Sequence, residues 1–201
     1  EKGLSRTLVL CLLIFFSQYS ETSGQDKYEV LITEIFADPT PSHGLPDKEF
    51  LELYNNTAKS INLNGFQLFY SSTDVVFPSF IIEPEEYIIV CRENNALLFE
   101  NYGRVLGLSK FSLLNAGTQL RLLNSSGELV HQIDYSSSWY SADRDQGYSL
   151  EMIDLNYPCK EFGNWTSSSS EVGGTPGKLN ASAASNPDIE PPSFVGYEAL
   201  E

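Results

Sequence analysis

The run Glu49-Phe50-Leu51-Glu52-Leu53-Tyr54-Asn55 alternates with the period of an extended chain. Successive strand side chains point to opposite faces, so Phe50, Glu52 and Tyr54 share one face and Leu51 and Leu53 the other. Val30 to Phe36 is read the same way, with Ile32, Glu34 and Phe36 on one face. Each strand therefore carries a glutamate among large apolar neighbours. Such a carboxylate is costly unless hydrogen-bonded or paired. Backbone N–H groups of a loop folded over the sheet would satisfy both Glu34 and Glu52 in a purely structural role. A sharper alternative is a carboxylate pair doing acid–base work or holding a metal.

Outward from these two runs, short strands succeed one another between turn residues. Ala37 to Asp47 contains three prolines, which forbid helix or central strand. Ser60 to Leu63 and Phe66 to Tyr70 are parted by Asn64-Gly65, a strong turn signal. Val75–Phe77, Phe80–Ile82 and Tyr87–Arg92 follow, and Thr118–Leu123 with Glu128–Tyr135 reads as a hairpin. Tyr148–Ile153 is the last strand in this reading. Only Asn94 to Tyr102 reads as helical, and from Trp165 through Gly177 the chain reads as loop. Strands at 8–12-residue spacing without helix alternation indicate an all-β antiparallel sandwich with at most one short helix.

Composition supports a packed, acidic module. Of 201 residues, 41% are hydrophobic, and 12 Phe, 11 Tyr and 2 Trp supply material for burial. The 27 acidic and 12 basic side chains give a net charge of −15. A surface of that sign repels phosphate backbones, so nucleic acid is excluded as an electrostatic partner.

Residues 1–24 read as a secretory signal peptide: Lys2 and Arg6 precede the apolar run Leu8 to Phe16, which gives way to Ser17-Gln18-Tyr19-Ser20. No membrane span is expected in the mature protein. Export brings an oxidising compartment, so Cys91 and Cys159, the two cysteines beyond the leader, are expected to form a disulfide. Residues 181–192 read as a polar, proline-rich linker and 193–201 as the start of a further, truncated module.

Several runs together resemble the lamin-tail domains. These are Leu31-Ile32-Thr33-Glu34-Ile35 with Asp38-Pro39, the Glu49–Asn55 run, and Ile61-Asn62-Leu63-Asn64-Gly65-Phe66. Leu113-Leu114-Asn115-Ala116-Gly117-Thr118, Ser149-Leu150-Glu151, Asn164-Trp165-Thr166 and Gly173-Gly174-Thr175-Pro176-Gly177-Lys178-Leu179-Asn180 continue the series in the expected order. The resemblance covers residues 27–180 and is closest to the exported bacterial branch. It implies an immunoglobulin-like β-sandwich whose partners are other extracellular modules, proteins or glycans.

Three further sites follow from residue type. Asp38, Asp47 and Glu49 flank the proline-rich loop and offer hard oxygen ligands to calcium. Joined to Glu34 and Glu52, the two aspartates would make a metal-assisted site. Trp139 and Tyr140, with Tyr148, could line a stacking surface for sugars; the alternative is that Trp139 and Trp165 cap the open ends of the sandwich. His43 reads as exposed and idle, and His131 as a strand histidine used for packing. The sequons at Asn55, Asn124, Asn164 and Asn180 matter only in a eukaryotic secretory route and are set aside. The functional expectation is a non-catalytic extracellular binding, adhesion or scaffolding module of a larger secreted or envelope protein. The alternative is an accessory N-terminal domain of an exported hydrolase of nuclease or phosphoesterase type, with its catalytic part beyond residue 201.

Overall fold

The computed structural model describes residues 27–186. The leader, residues 187–192 of the linker reading and the 193–201 module lie outside the described residues. Twelve strands form three sheets. Taken in chain order they are β1 (Val30–Phe36), β2 (Phe50–Asn55), β3 (Ile61–Asn62), β4 (Gln67–Tyr70), β5 (Thr73–Val76) and β6 (Ile81–Ile82). Then come β7 (Tyr87–Arg92), β8 (Arg104–Leu108), β9 (Gly117–Leu123), β10 (Leu129–Ser136), β11 (Leu150–Met152) and β12 (Trp165–Ser167). A six-stranded sheet runs β12-β11-β1-β2-β7-β8, and a four-stranded sheet runs β10-β9-β4-β5. The β3–β6 pair forms a small third sheet.

The two larger sheets enclose the main core. Ile32, Ile35, Leu51, Leu53, Ile88 and Val90 from the six-stranded sheet pack with Leu68, Leu120, Leu122, Val130 and Ile133 from the other. Each fully buried side chain of this size contributes about 2 kcal/mol of transfer free energy, so this interior face is a main source of the sandwich's stability. The opposite face of the six-stranded sheet is also covered. Phe36, Phe50, Ile89 and Cys91 form a second cluster with Leu45 of the proline-rich loop and Phe99 of the helix α1 (Ala96–Phe99). All seven residues of β1 are consequently buried.

The all-β sandwich expected from the strand spacing, with the immunoglobulin-like form that the resemblance implies, is the fold found. Four local expectations change. A bulge between Ile32 and Glu34 shifts the alternation, so Ile32 faces the main core with Ile35 and parts company with Glu34 and Phe36. Strand β8 was not expected. It pairs in parallel with β7 after the α1 crossover, the one parallel pairing among the described strands. Strand β12 lies where Trp165 onward was read as loop, because three residues suffice to pair Met152, Glu151 and Leu150. Residues 181–186 are not linker: Ala184 N–H donates to Ile153 O, and Asn186 N–H donates to the Asp154 carboxylate.

The expected Cys91–Cys159 disulfide is absent, and both thiols are free. Cys91 lies in β7 under Phe50, whereas Cys159 is in the exposed turn beyond β11. β1 and β2 lie between β7 and β11 in the sheet, and one thiol is buried while the other is exposed. Burial pushes the Cys91 thiol up to about 11. Iodoacetamide is therefore expected to label Cys159 in the folded protein and Cys91 only after unfolding. Peptide mass spectrometry reads this directly, and protection of both until reduction would restore the disulfide.

Candidate functional site

Three buried glutamates stand side by side on the outer face of the six-stranded sheet. In the register of β11, β1 and β2, Glu34 is opposite Glu151 on one side and Glu52 on the other. All three are fully buried. The local sequence explains the placement: Thr33-Glu34-Ile35, Leu51-Glu52-Leu53 and Leu150-Glu151-Met152 each interrupt a β-prone run with one glutamate. Pairing then aligns the interruptions.

What covers the row is the chain's own C-terminal segment, residues 168–182. Glu151 accepts from Ser168 Oγ (2.6 Å), Thr175 Oγ1 (2.7 Å) and the Ser182 N–H (2.7 Å). Glu34 Oε1 accepts from Ser149 Oγ and from the Thr175 N–H at 2.8 Å. Glu52 accepts from Thr33 Oγ1 (2.8 Å) and the Gly177 N–H (2.7 Å). Asn180 fastens the far side of this strap, its amide donating to Thr33 O and Met152 O, each at 2.9 Å. Charge-assisted bonds of this length are the stronger class of hydrogen bond.

The glycines of the strap follow from its closeness to the sheet. A Cβ on Gly174 would fall 2.5 Å from Glu34 Oε1. Gly177 has φ +79°, and a Cβ there would lie 2.3 Å from Tyr102 O. Thus Gly173-Gly174-Thr175-Pro176-Gly177, read from sequence as loop, is a fitted cover over the carboxylates.

Electrostatically the row is under-compensated. No salt bridge among the described residues reaches it. Burial, then the neighbouring Glu151 charge, pushes the Glu34 carboxyl up to about 8. Glu52 is also held well above the ordinary carboxylate range, by burial and then by Glu34. Glu34 Oε2 is buried with no hydrogen-bond partner, so a negative charge there would have nothing to compensate it. A neutral Glu34 between two hydrogen-bonded neighbours relieves the repulsion.

The expectation that a loop's N–H groups satisfy Glu34 and Glu52 matches this geometry. The third glutamate, Glu151, was passed over as a site residue. Its signal was available in the apolar-Glu-apolar pattern of Leu150-Glu151-Met152, but its neighbour was identifiable only from the pairing of β1 with β11.

The other candidates do not converge. Asp47 accepts from Thr40 Oγ1 at 2.7 Å, and Glu49 accepts from the Leu113 N–H at 3.1 Å. Asp38 lines a different pocket, beside Asn115 and Tyr140, from the one lined by Asp47 and Glu49. Among the described residues no three His, Cys, Asp or Glu side chains gather to hold a metal. Neither the calcium set Asp38, Asp47 and Glu49 nor the set joining Glu34 and Glu52 to the aspartates is assembled. Thermal melting in calcium and in EDTA is expected to give the same Tm; a rise with calcium concentration would restore the ion site.

Trp139 and Tyr140 are half-buried against the main core. Part of each ring is therefore covered by the core rather than open for stacking. His43 is exposed and lies against the Tyr148 ring, centroids 4.4 Å apart. His131 is fully buried: its Nδ1 accepts the Ile32 N–H at 2.8 Å, and its Nε2 faces Pro158 O at 3.3 Å. That places the proton on Nε2. Burial pushes this imidazole down to about 4.

The sequence model of the lamin tail domain family matches residues 23–137. Among curated proteins, none matches the chain. The match holds Glu34, Glu52 and the strands through β10, and it ends before Glu151 and the strap. It covers more than half of the 201 residues and coincides with an immunoglobulin-like sandwich in the expected strand order. The chain belongs to the lamin tail domain family, a family of non-enzymatic immunoglobulin-like domains.

Proposed function

We propose that this protein is a non-catalytic module of the exported bacterial type, binding or spacing other parts of a larger secreted or envelope protein. The observation that carries the reading is the closure of the carboxylate row. Glu34, Glu52 and Glu151 are the acid–base chemistry the sheet offers at its centre, and all three are engaged by the chain's own strap. A substrate would have to displace Thr175 and Gly177 to reach them. The family relationship supports the same conclusion, since its members are non-enzymatic domains. The basic-then-apolar leader at residues 1–24 supports export, and the folding unit in this reading runs from Lys27 to Asn186.

Two measurements test this reading. Residues 1–24 fused to a reporter are expected to direct it out of a bacterial cytoplasm, and retention inside would remove the export half. Purified residues 25–186 are expected to show no turnover of nuclease or phosphoesterase substrates. A rate abolished by Glu52→Gln would overturn the non-catalytic half.

A further inference from the structure

The four N-x-S/T sequons sit at asparagines that fasten the fold. Asn55, Asn124, Asn164 and Asn180 expose 0%, 2%, 0% and 6% of their surface. In each, the amide nitrogen donates a hydrogen bond within the fold, and in Asn124 the amide oxygen also accepts the Ser126 and Glu128 N–H groups. Asn55 Nδ2 donates to Lys59 O, Ile82 O and Glu83 O, tying the end of β2 to the β6 turn. Asn124 Nδ2 donates to Glu128 Oε2 at 2.8 Å inside the β9–β10 turn. Asn164 Nδ2 donates to Asp154 O and Tyr157 O, closing the loop between β11 and β12. Asn180 Nδ2 donates to Thr33 O and Met152 O, pinning the strap.

N-glycosylation acts on that same nitrogen. Oligosaccharyl transfer forms a bond from Nδ2 to the anomeric carbon of a lipid-pyrophosphate-linked oligosaccharide. One Nδ2 proton passes to a base and the lipid pyrophosphate leaves. The substituted amide keeps a single N–H, while Asn55, Asn164 and Asn180 each donate to at least two carbonyls. The sugar also needs volume that buried positions do not have, in an interior packed like an organic crystal. A donor lost from a buried acceptor leaves that acceptor unpaired as well.

We propose that none of the four sequons carries a glycan in the folded protein, and that a glycan added to any of them before folding prevents this fold. The chain then matures only along a route that leaves all four amides unmodified. This does not depend on what the module binds. It adds an independent argument for export without N-glycosylation.

The test is secretion of the full chain from a eukaryotic host, with Lys110→Asn as an internal control. Lys110 is exposed, and the change creates a sequon with Phe111 and Ser112. Secreted protein that resists protease is expected to carry one glycan, at position 110, and none at Asn55, Asn124, Asn164 or Asn180. Any glycosylated chain modified at those four is expected to be protease-sensitive. Thr166→Ala, which destroys the Asn164 sequon without touching its amide contacts, is expected to raise the protease-resistant share. A protease-resistant molecule bearing a glycan on any of the four asparagines overturns the proposal, as read by peptide mass spectrometry.

Discussion

Glu151→Ala is expected to lower stability by about 4 kcal/mol, because three donors, two of them buried, lose their acceptor together. The Ser168 and Thr175 hydroxyls and the Ser182 N–H all converge on this carboxylate. A loss of that size shifts Tm by roughly 10 °C in a domain of this length. The strap lies on the sheet mainly through these contacts and those to Glu34 and Glu52. Its detachment should therefore precede global unfolding, and hydrogen exchange is expected to rise first in residues 168–182. Glu151→Gln keeps one carbonyl oxygen for the two hydroxyls but turns a donor toward the Ser182 N–H, so its loss should be smaller. A Tm within about 2 °C of the parent for the alanine variant would show that the strap is held by something else.

Alkaline pH is expected to destabilise the protein through the same row. Glu34 holds its proton up to about 8 in the fold, against an ordinary 4.5. Between those values the folded state binds a proton that the unfolded chain has released. Stability is then fully present below about 4.5 and falls as pH rises to about 8, with a slope approaching ~1.4 kcal/mol per pH unit. The groups facing Glu34 set this behaviour: Glu151 on β11 and Glu52 on β2 repel its charge, and Lys178 on the strap opposes them. Glu34→Gln places a neutral group of the same shape there. Melting from pH 6.5 to pH 9 is expected to show a decline of about 2 kcal/mol or more in the parent and a smaller one in the variant, which keeps the buried Glu52. Parallel profiles would remove Glu34 as the proton carrier. On the acid side His131 acts in the opposite sense. Its folded value near 4 means stability is lost as pH falls below about 6.5, so the two groups offset each other between about 4.5 and 6.5 and the net fall sets in above about 6.5.

Much of the fold could be read along the chain because its information is local. Alternating runs such as Glu49–Asn55, prolines in Ala37–Asp47 and the Asn64-Gly65 turn mark strands and breaks without knowledge of partners. What was misread depends on pairing. Strand β12 has only three residues, and β8 carries Gly107 as its fourth of five; both became strands because a neighbour supplied the hydrogen bonds. Likewise the cysteines suggested a bridge by number and compartment, while the fold buries one thiol and exposes the other, leaving both free.

By itself, then, the amino-acid order determined an acidic, aromatic-rich β-sandwich with two glutamates placed among apolar side chains. Periodicity and turn chemistry act over a few residues and survive in the one-dimensional record. Only the tertiary structure decided that Glu34 and Glu52 have a third companion in Glu151, with the Gly173–Asn180 run lying over all three. It also decided that the sequon asparagines face inward. Register across sheets joins residues more than a hundred positions apart, as in the Thr175 N–H on Glu34, and no local pattern encodes which distant donor will meet a buried carboxylate.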